Sequence, residues 1–358
     1  MVQNIIIDLH NGGPIIYNKK LLMSALSKKK NNLPINQIIR EINKERANLL
    51  IEGLYPEYEN AWLVSGVNLA IRTVGIFTDP PFSIDGIVAD VALVNQITKH
   101  VNWLELIKDK NSFRQIFDED KKGYLLMIES LEGFQPKEDL LDKLQQMDIK
   151  IVQPVYNYGN WFGGGCFDKV DGGLTDKGGL ILNSLRKGKI CIDHSHLGET
   201  TSFDIFRKYY PFNIATHTFS SSISPHRRGK SDFFFRRLAE TNGFAALTVN
   251  PNFLCNKNLK IEDVFIRQVA HLLDIMGENK IGIGTDWDGP MPNFLVDGLN
   301  DAASKLQHNN YQLDRPSNFY NGMFDWGNII DVLIHEFGQQ LTQRLIGKNA
   351  FDFLLSIL

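Results

Sequence analysis

The chain has 358 residues, 43% of them hydrophobic, enough for one large or two ordinary domains around a sizeable core. Its formal net charge is −3, which gives no support for a nucleic-acid partner, and no apolar run reaches the ~20 residues of a membrane span. The three cysteines, Cys166, Cys191 and Cys255, are far apart, and no basic segment followed by an apolar one opens the chain, so a soluble, cytoplasmic protein in a reducing compartment is expected.

Eight short β-branched, apolar runs recur along the chain, at residues 4–10, 64–76, 124–129, 149–156, 189–194, 212–217, 244–250 and 280–286. Helical periodicity fills most of the intervals, at 35–54, 88–108, 136–146, 177–187, 203–210, 231–242 and 261–276, and again at 327–358. The run Lys28-Lys29-Lys30 reads as a solvated helix end. Strands alternating with helices indicate βαβ units and a parallel sheet. Strands that are apolar throughout indicate burial on both faces. Eight such units in one domain spanning 1–358 fit a TIM-type (β/α)8 barrel of the α/β class. No GxGxxG follows the first strand, which disfavours a dinucleotide-binding open sheet. Residues 288–316, rich in Asn, Asp, Gly and Pro, read as a long loop over one barrel end.

Barrel enzymes carry their chemistry at the C-terminal ends of the strands. The first strand ends in Asp8 and His10, the third in Glu129. The fifth ends in Asp193, His194 and His196, the sixth in His217, and the eighth in Asp286 and Asp288. Singly, each has a structural explanation. Together they place several buried acids and imidazoles at one mouth, where they need a common partner. A divalent metal is the simplest one, and this ligand set suits zinc. His194 and His196 share a face only if the strand continues through Ser195. A packed, non-ligating role for His194 is therefore preferred.

These residues resemble those of the renal (membrane) dipeptidases, zinc-dependent barrel hydrolases of the amidohydrolase superfamily. The resemblance runs in order through IIIDLHN, LLMIESLEG, GGLTDKGGLILNSLRKGKICIDHSH, NIATHTFSSSISPHRRGKSD, KIGIGTDWDG and LIGKNAFDFL. It implies that His10 ligates a first metal, that Glu129 bridges two, and that His196 and His217 complete the second site. It implies Arg228 as the anchor for the free carboxylate of a dipeptide, a task suited to a guanidinium fork. Asp286 would relay the proton between water and the leaving amine. Glu132 rivals Glu129 but lies three residues farther from the strand. Homodimers in the family imply a possible dimer here. Superfamily lactonases and deaminases typically begin with His-x-His, which Asp8 breaks.

Two departures bear on activity. The family's first motif has a second metal-binding acid two residues after its His, and here that position is Gly12. The family also has a polarising His after the fourth strand, where this chain has Tyr156. A phenol can donate a hydrogen bond but does not titrate near neutral pH as imidazole does. The expectation is one well-held zinc at Glu129, His196 and His217, with a weak or absent first site. One zinc can still lower the pKa of a water to about 7. Hydrolysis of a dipeptide or related small amide is the leading reading. A ligand-binding barrel or a tailoring enzyme for a peptide-derived metabolite is the alternative. Gly12→Asp is expected to raise metal content or activity, checked by elemental analysis and by peptide hydrolysis. If neither changes, the missing acid is not what limits the first site.

Overall fold

At the centre lie nine parallel strands: β1 (Ile7–Asp8), β2 (Leu69–Thr73), β3 (Leu104–Leu106), β4 (Lys122–Ile128), β5 (Ile151–Val152), β6 (Cys191–Asp193), β7 (Asn213–Thr218), β8 (Phe244–Leu247) and β9 (Ile281–Ile283). The structure, a computed structural model, describes residues 5–75, 82–254, 259–287, 289–305 and 319–358. The strand order is β2-β1-β9-β8-β7-β6-β5-β4-β3, and a further pairing of β2 with β4 closes the circuit. β3 pairs with the start of β4 and lies outside the closed ring. The remaining eight strands form a TIM-type barrel.

Alternation along the strands divides the core in two. Ile7, Leu9, Leu69, Ile71, Leu125 and Met127 share one cluster with Ala350, Leu354 and Ile357 of the final helix, Asn349–Ile357. They fill the barrel and its floor. The intervening Ala70, Leu126, Ile128, Ala245 and Leu247 pack outward with the helices. Asn349 fixes the floor by donating from Nδ2 to the carbonyl of Ile281, at the start of β9, over 2.9 Å. Strands buried on both faces explain why the apolar runs were continuous.

All eight barrel strands overlap the expected runs; β4 begins two residues earlier, at Lys122, β7 ends one residue later, at Thr218, and the other six are shorter than their runs. The run at 4–10 keeps strand pairing only at Ile7–Asp8, because the chain turns where Asp8 Oδ1 accepts the amide of His10 at 3.2 Å. The run at 149–156 stops at Val152, ahead of Pro154, which has no amide to donate. Several expectations are corrected. The helix expected at 88–108 spans Ile84–His100, with Lys99 and His100 favourably placed at its C-terminal end. Beyond it, buried Leu104 and Leu106 flank half-buried Glu105 to make β3. The expected loop at 288–316 contains a helix, Asn293–Lys305; residues 288 and 306–318 lie outside the described residues.

Two further helices went unread. Lys19–Lys30 is capped by Asn18, whose side chain accepts from the Leu21 amide at 3.0 Å, and the lysine run forms its last turn. Pro56–Ser65 starts with proline at its first position and ends at Gly66, whose φ is +70°. The run at 64–76 therefore begins as helix and becomes strand only at Leu69; residue 76 lies outside the described residues. With Ile35–Ile51 these helices wall the side of the barrel near β1, β2 and β4, where the hydroxyls of Tyr58 and Tyr124 meet. Gly13, at φ +88°, stands against those hydroxyls, where a Cβ would collide. Among the described residues no helix is long and apolar enough to cross a membrane. Cys166 and Cys191 are free thiols, and Cys255 lies outside the described residues.

Candidate metal centre

Two buried aspartates set the ends of the strands that carry the site. Asp8 Oδ1 accepts from the amides of His10 and of Thr285 (2.9 Å). Its Oδ2 accepts from Thr285 Oγ1 at 2.7 Å and Trp326 Nε1 at 3.2 Å. Asp193 repeats the device. Its Oδ1 accepts from the Ser195 amide (2.9 Å), Ser195 Oγ (2.7 Å) and the Thr216 amide (3.0 Å), and its Oδ2 from Thr216 Oγ1 (2.6 Å). In each case an acid at one strand end clasps a threonine on a neighbouring strand and bends its own chain two residues on. Gly284 lets the end of β9 approach closely, since a Cβ there would strike the Thr216 carbonyl oxygen.

The bends bring His10, His196, His217 and Asp286 together around Glu129. His10 Nε2 lies 3.3 Å from Glu129 Oε1 and 3.8 Å from Asp286 Oδ1. His217 Nε2 lies 3.8 Å from Glu129 Oε1. One ligand atom from each of His10, Glu129 and His217 falls within 4.8 Å of the others. His10 and His217 stack with centroids 3.7 Å apart. His196 adjoins at one edge, its Nε2 2.9 Å from His217 Nε2. The Asp286 side chain keeps 22% of its surface exposed while that of His217 keeps none, so the cluster opens on the Asp286 side. Asp286 itself has φ +57°. Its amide donates to the His10 carbonyl at 2.9 Å, and Asn250 Nδ2 donates to its Oδ2 at 3.2 Å.

Hydrogen-bond accounting tests whether a metal fits. His196 Nδ1 faces Asn157 Oδ1 at 2.7 Å, an acceptor, so Nδ1 carries the proton and Nε2 is the unprotonated nitrogen. Thr216 gives its hydroxyl proton to Asp193, so at 2.8 Å it accepts from His217 Nδ1. His217 Nε2 is then also unprotonated. Burial, with the positive charges of His10 and Arg228 nearby, pushes the His217 pKa well below its usual value, which disfavours a proton between the rings. Two imidazole lone pairs face each other, an arrangement that calls for a Lewis acid. At the other end, burial opposes charge on His10, but Glu129 and Asp286 override it and lift its pKa to about 9. The site thus favours positive charge. Burial lifts Asp286 to about 7 against the pull of His10 and Arg228.

Not every expected residue arrives there. Asp8 is committed to its four donors, and burial lifts it to about 6 despite them. His194 points away into the protein, bonded to Asn213 Oδ1 at 3.0 Å and packed on Phe206. The turn at Ser195 separates it from His196. Glu132 is exposed and lies outside the cluster. Tyr156 stacks on His196 at 4.4 Å with Phe82 on another side. Arg228 is only 1% exposed, and its two terminal nitrogens donate to the carbonyls of Ser195 and His217. It therefore braces the segments bearing His196 and His217. Asp288 lies outside the described residues. Sequence reasoning missed Asn157, Thr216 and Asn250, polar neighbours that fix rings and carboxylate; no motif marked them.

The chain matches the family model described as membrane dipeptidase (peptidase family M19) over residues 1–315. It is 24% identical over 246 residues to an uncharacterized protein in the pqqA 5′ region of Klebsiella pneumoniae, covering 65% of this chain and 91% of that one. Its fold is similar to that of an amidohydrolase from Pseudomonas aeruginosa, with a TM-score of 0.74, 20% identity, and 99% and 96% of the two chains covered. A metallo peptidase from Rhodobacter sphaeroides, liganded with a phosphinate mimic of the dipeptide L-Ala-D-Ala, aligns with a TM-score of 0.69 at 16% identity, covering 98% and 99%.

Asn157→Leu removes the acceptor that sets the His196 tautomer. Zinc affinity is expected to fall about 10- to 100-fold, measured by chelator competition with an unchanged far-UV spectrum. His194 supplies a pH test. Burial lowers its pKa from 6.5 to about 4, so between those values the unfolded chain binds more protons and stability falls as pH falls. Urea unfolding should show about 3 kcal/mol less dependence across that window in His194→Gln.

Proposed function

The chain belongs to the membrane dipeptidase family, peptidase family M19, and on that premise we propose that it hydrolyses a dipeptide or related small amide bearing a free carboxylate, using zinc. It is a hydrolase of the metallo-dipeptidase class. The observation that carries the reading is the convergence of His10, Glu129 and His217, with His196 Nε2 2.9 Å from His217 Nε2. The dipeptide mimic held by the related Rhodobacter protein supports a substrate of that size.

Glu129, His196 and His217 would hold the tighter ion, and His10 with Glu129 a weaker one. The weakness follows from Gly12, which has no side chain to ligate, and from the Arg72 guanidinium, which donates to the Gly12 carbonyl. A bound zinc would polarise the scissile carbonyl and make water acidic near neutral pH. Asp286, on the open side, takes the proton of the attacking water and delivers it to the leaving amine. A carboxyl titrating near 7 suits both halves of that task. Asn250 steadies it throughout. Tyr156, stacked on His196, offers a hydroxyl to the negative charge that develops on the carbonyl oxygen. Arg228 acts on the histidines through the carbonyls it braces.

Elemental analysis is expected to give one zinc per chain, and the zinc-loaded protein to release amino acids from members of a broad dipeptide panel. Asp286→Asn should lower kcat by about 10²- to 10⁴-fold with KM little changed. Zinc and peptide binding with no cleavage anywhere in the panel would instead establish the redirected barrel that Gly12 and Tyr156 allow.

A further inference from the structure

We propose that Gln268, on the helix Ile261–Met276 outside the barrel, is a positioning residue for the metal centre. It pins the bulge in β7 that aims His217 and the strap that carries Arg228 back to it. The role rests on His217 being a zinc ligand, as read above.

β7 does not run evenly beside β8. Ala215 pairs with Ala245 and Thr218 with Leu247, so β7 uses one residue more than β8 over this span. Thr216 and His217 lie in that bulge, a device that re-aims a side chain. A bulge keeps its register only if the chain is fixed on both sides. On the near side Asp193 clasps Thr216. On the far side Ser220 has passed the end of the strand, and its amide and carbonyl both go to one side chain. Gln268 Oε1 accepts the Ser220 amide at 2.7 Å, and Gln268 Nε2 donates to the Ser220 carbonyl at 3.0 Å. A carboxamide carries an acceptor and donors side by side, so Gln268 takes the place of a neighbouring strand. Its Nε2 also donates to Ser224 Oγ at 3.2 Å. Gln268 is fully buried, and the other buried residues of its helix, Val264, Phe265, Val269, Leu272 and Met276, are apolar. A buried amide is tolerated where its hydrogen bonds are met, and those of Gln268 all go to this segment.

Residues 219–231 then fold back as a strap. The Ser221 amide donates to the Lys230 carbonyl, and the Lys230 amide to the Phe219 carbonyl, each at 2.9 Å. From the returning arm Arg228 donates to the His217 carbonyl at 2.8 Å. His217 is thus held twice, through Ser220 and through Arg228. His271, one turn beyond Gln268 on the same helix face, donates from Nε2 to Asp232 Oδ1 at 2.8 Å. That oxygen also accepts from Ser220 Oγ at 3.1 Å and Ser222 Oγ at 3.0 Å. One helix therefore grips both ends of the strap.

Gln268→Met keeps the size of the side chain and removes its acceptor and donors. Leu272→Ala, buried on the same helix, is the control for lost stability alone. Zinc affinity, read by chelator competition on protein with a native far-UV spectrum, is expected to fall about 10-fold in Gln268→Met and to stay unchanged in Leu272→Ala, even where the two melt at the same temperature. Amide hydrogen exchange should quicken across 219–231 in Gln268→Met only. Gln268→Glu accepts from the Ser220 amide but cannot donate as a carboxylate, so it should recover part of the affinity; it carries the comparison if Gln268→Met does not fold. Parent-like zinc affinity in both Gln268 variants, or an equal loss in Leu272→Ala, overturns the assignment. If the parent binds no zinc, the ligand reading fails and the clamp is judged by the nitrogen-15 signals of the His217 ring, identified by their loss in His217→Gln. They should move in the Gln268 variants and not in Leu272→Ala; unmoved signals overturn it.

Discussion

The site depends on one repeated interaction, a buried aspartate at a strand end that clasps the threonine of a neighbouring strand. Asp8 holds Thr285, and Asp193 holds Thr216, in each case through both amide and hydroxyl. Each acid also captures the amide two residues ahead of it. That local bond ends the strand and turns the next histidine inward, His10 in one case and His196 in the other. The clasped threonines precede His217 and Asp286 directly. Two carboxylates, each accepting four hydrogen bonds, therefore orient every donor of the cluster except Glu129. A buried acid is tolerated only when its lone pairs are so occupied. The same occupancy keeps Asp8 from serving as a ligand.

The barrel mouth divides into regions with different electrostatic character. On the β6–β7 side, Arg228 and Lys230 lie buried behind the histidines, Lys230 donating to the Leu197 carbonyl and pushed down to about 8 by burial. Burial first, and then these cations, keep His217 neutral and hence able to ligate. On the β1–β2 side, Arg72 and Arg46 face a cavity beside the cluster. Glu129 and Asp286 lie between them. Gly12 brings no side chain to this lip and presents a carbonyl that Arg72 holds.

Much of this was legible in the sequence, for identifiable reasons. Continuous apolar runs report burial on both faces, so all eight barrel strands could be placed. His10, Glu129, His217 and Asp286 could be listed because strand ends in a barrel converge. The strand lengths were not legible, because Asp8 and Asp193 curtail their strands by side-chain bonds that apolarity does not encode. The same turn at Ser195 decided between His194 and His196. The helices Lys19–Lys30 and Pro56–Ser65 were missed since the first is dominated by lysine and the second has no clear apolar stripe, burying Tyr58, Ala61, Trp62 and Ser65. Asn157 acts from a turn at φ +59°, a backbone circumstance with no residue pattern. Arg228 was placed by resemblance, and only its burial and its two carbonyl partners reveal the bracing role.

The opposed nitrogens of His196 and His217 also carry a thermodynamic meaning. Without a cation, folding brings two lone pairs together and gains nothing from their contact. With one, the same contact is attractive, and the folded chain alone presents it. Loading and folding are then a single linked equilibrium, in which each tenfold rise of free metal above its dissociation constant adds about 1.4 kcal/mol to stability. With a metal held there, the conformational stability of this barrel would be set partly by the metal supply around it.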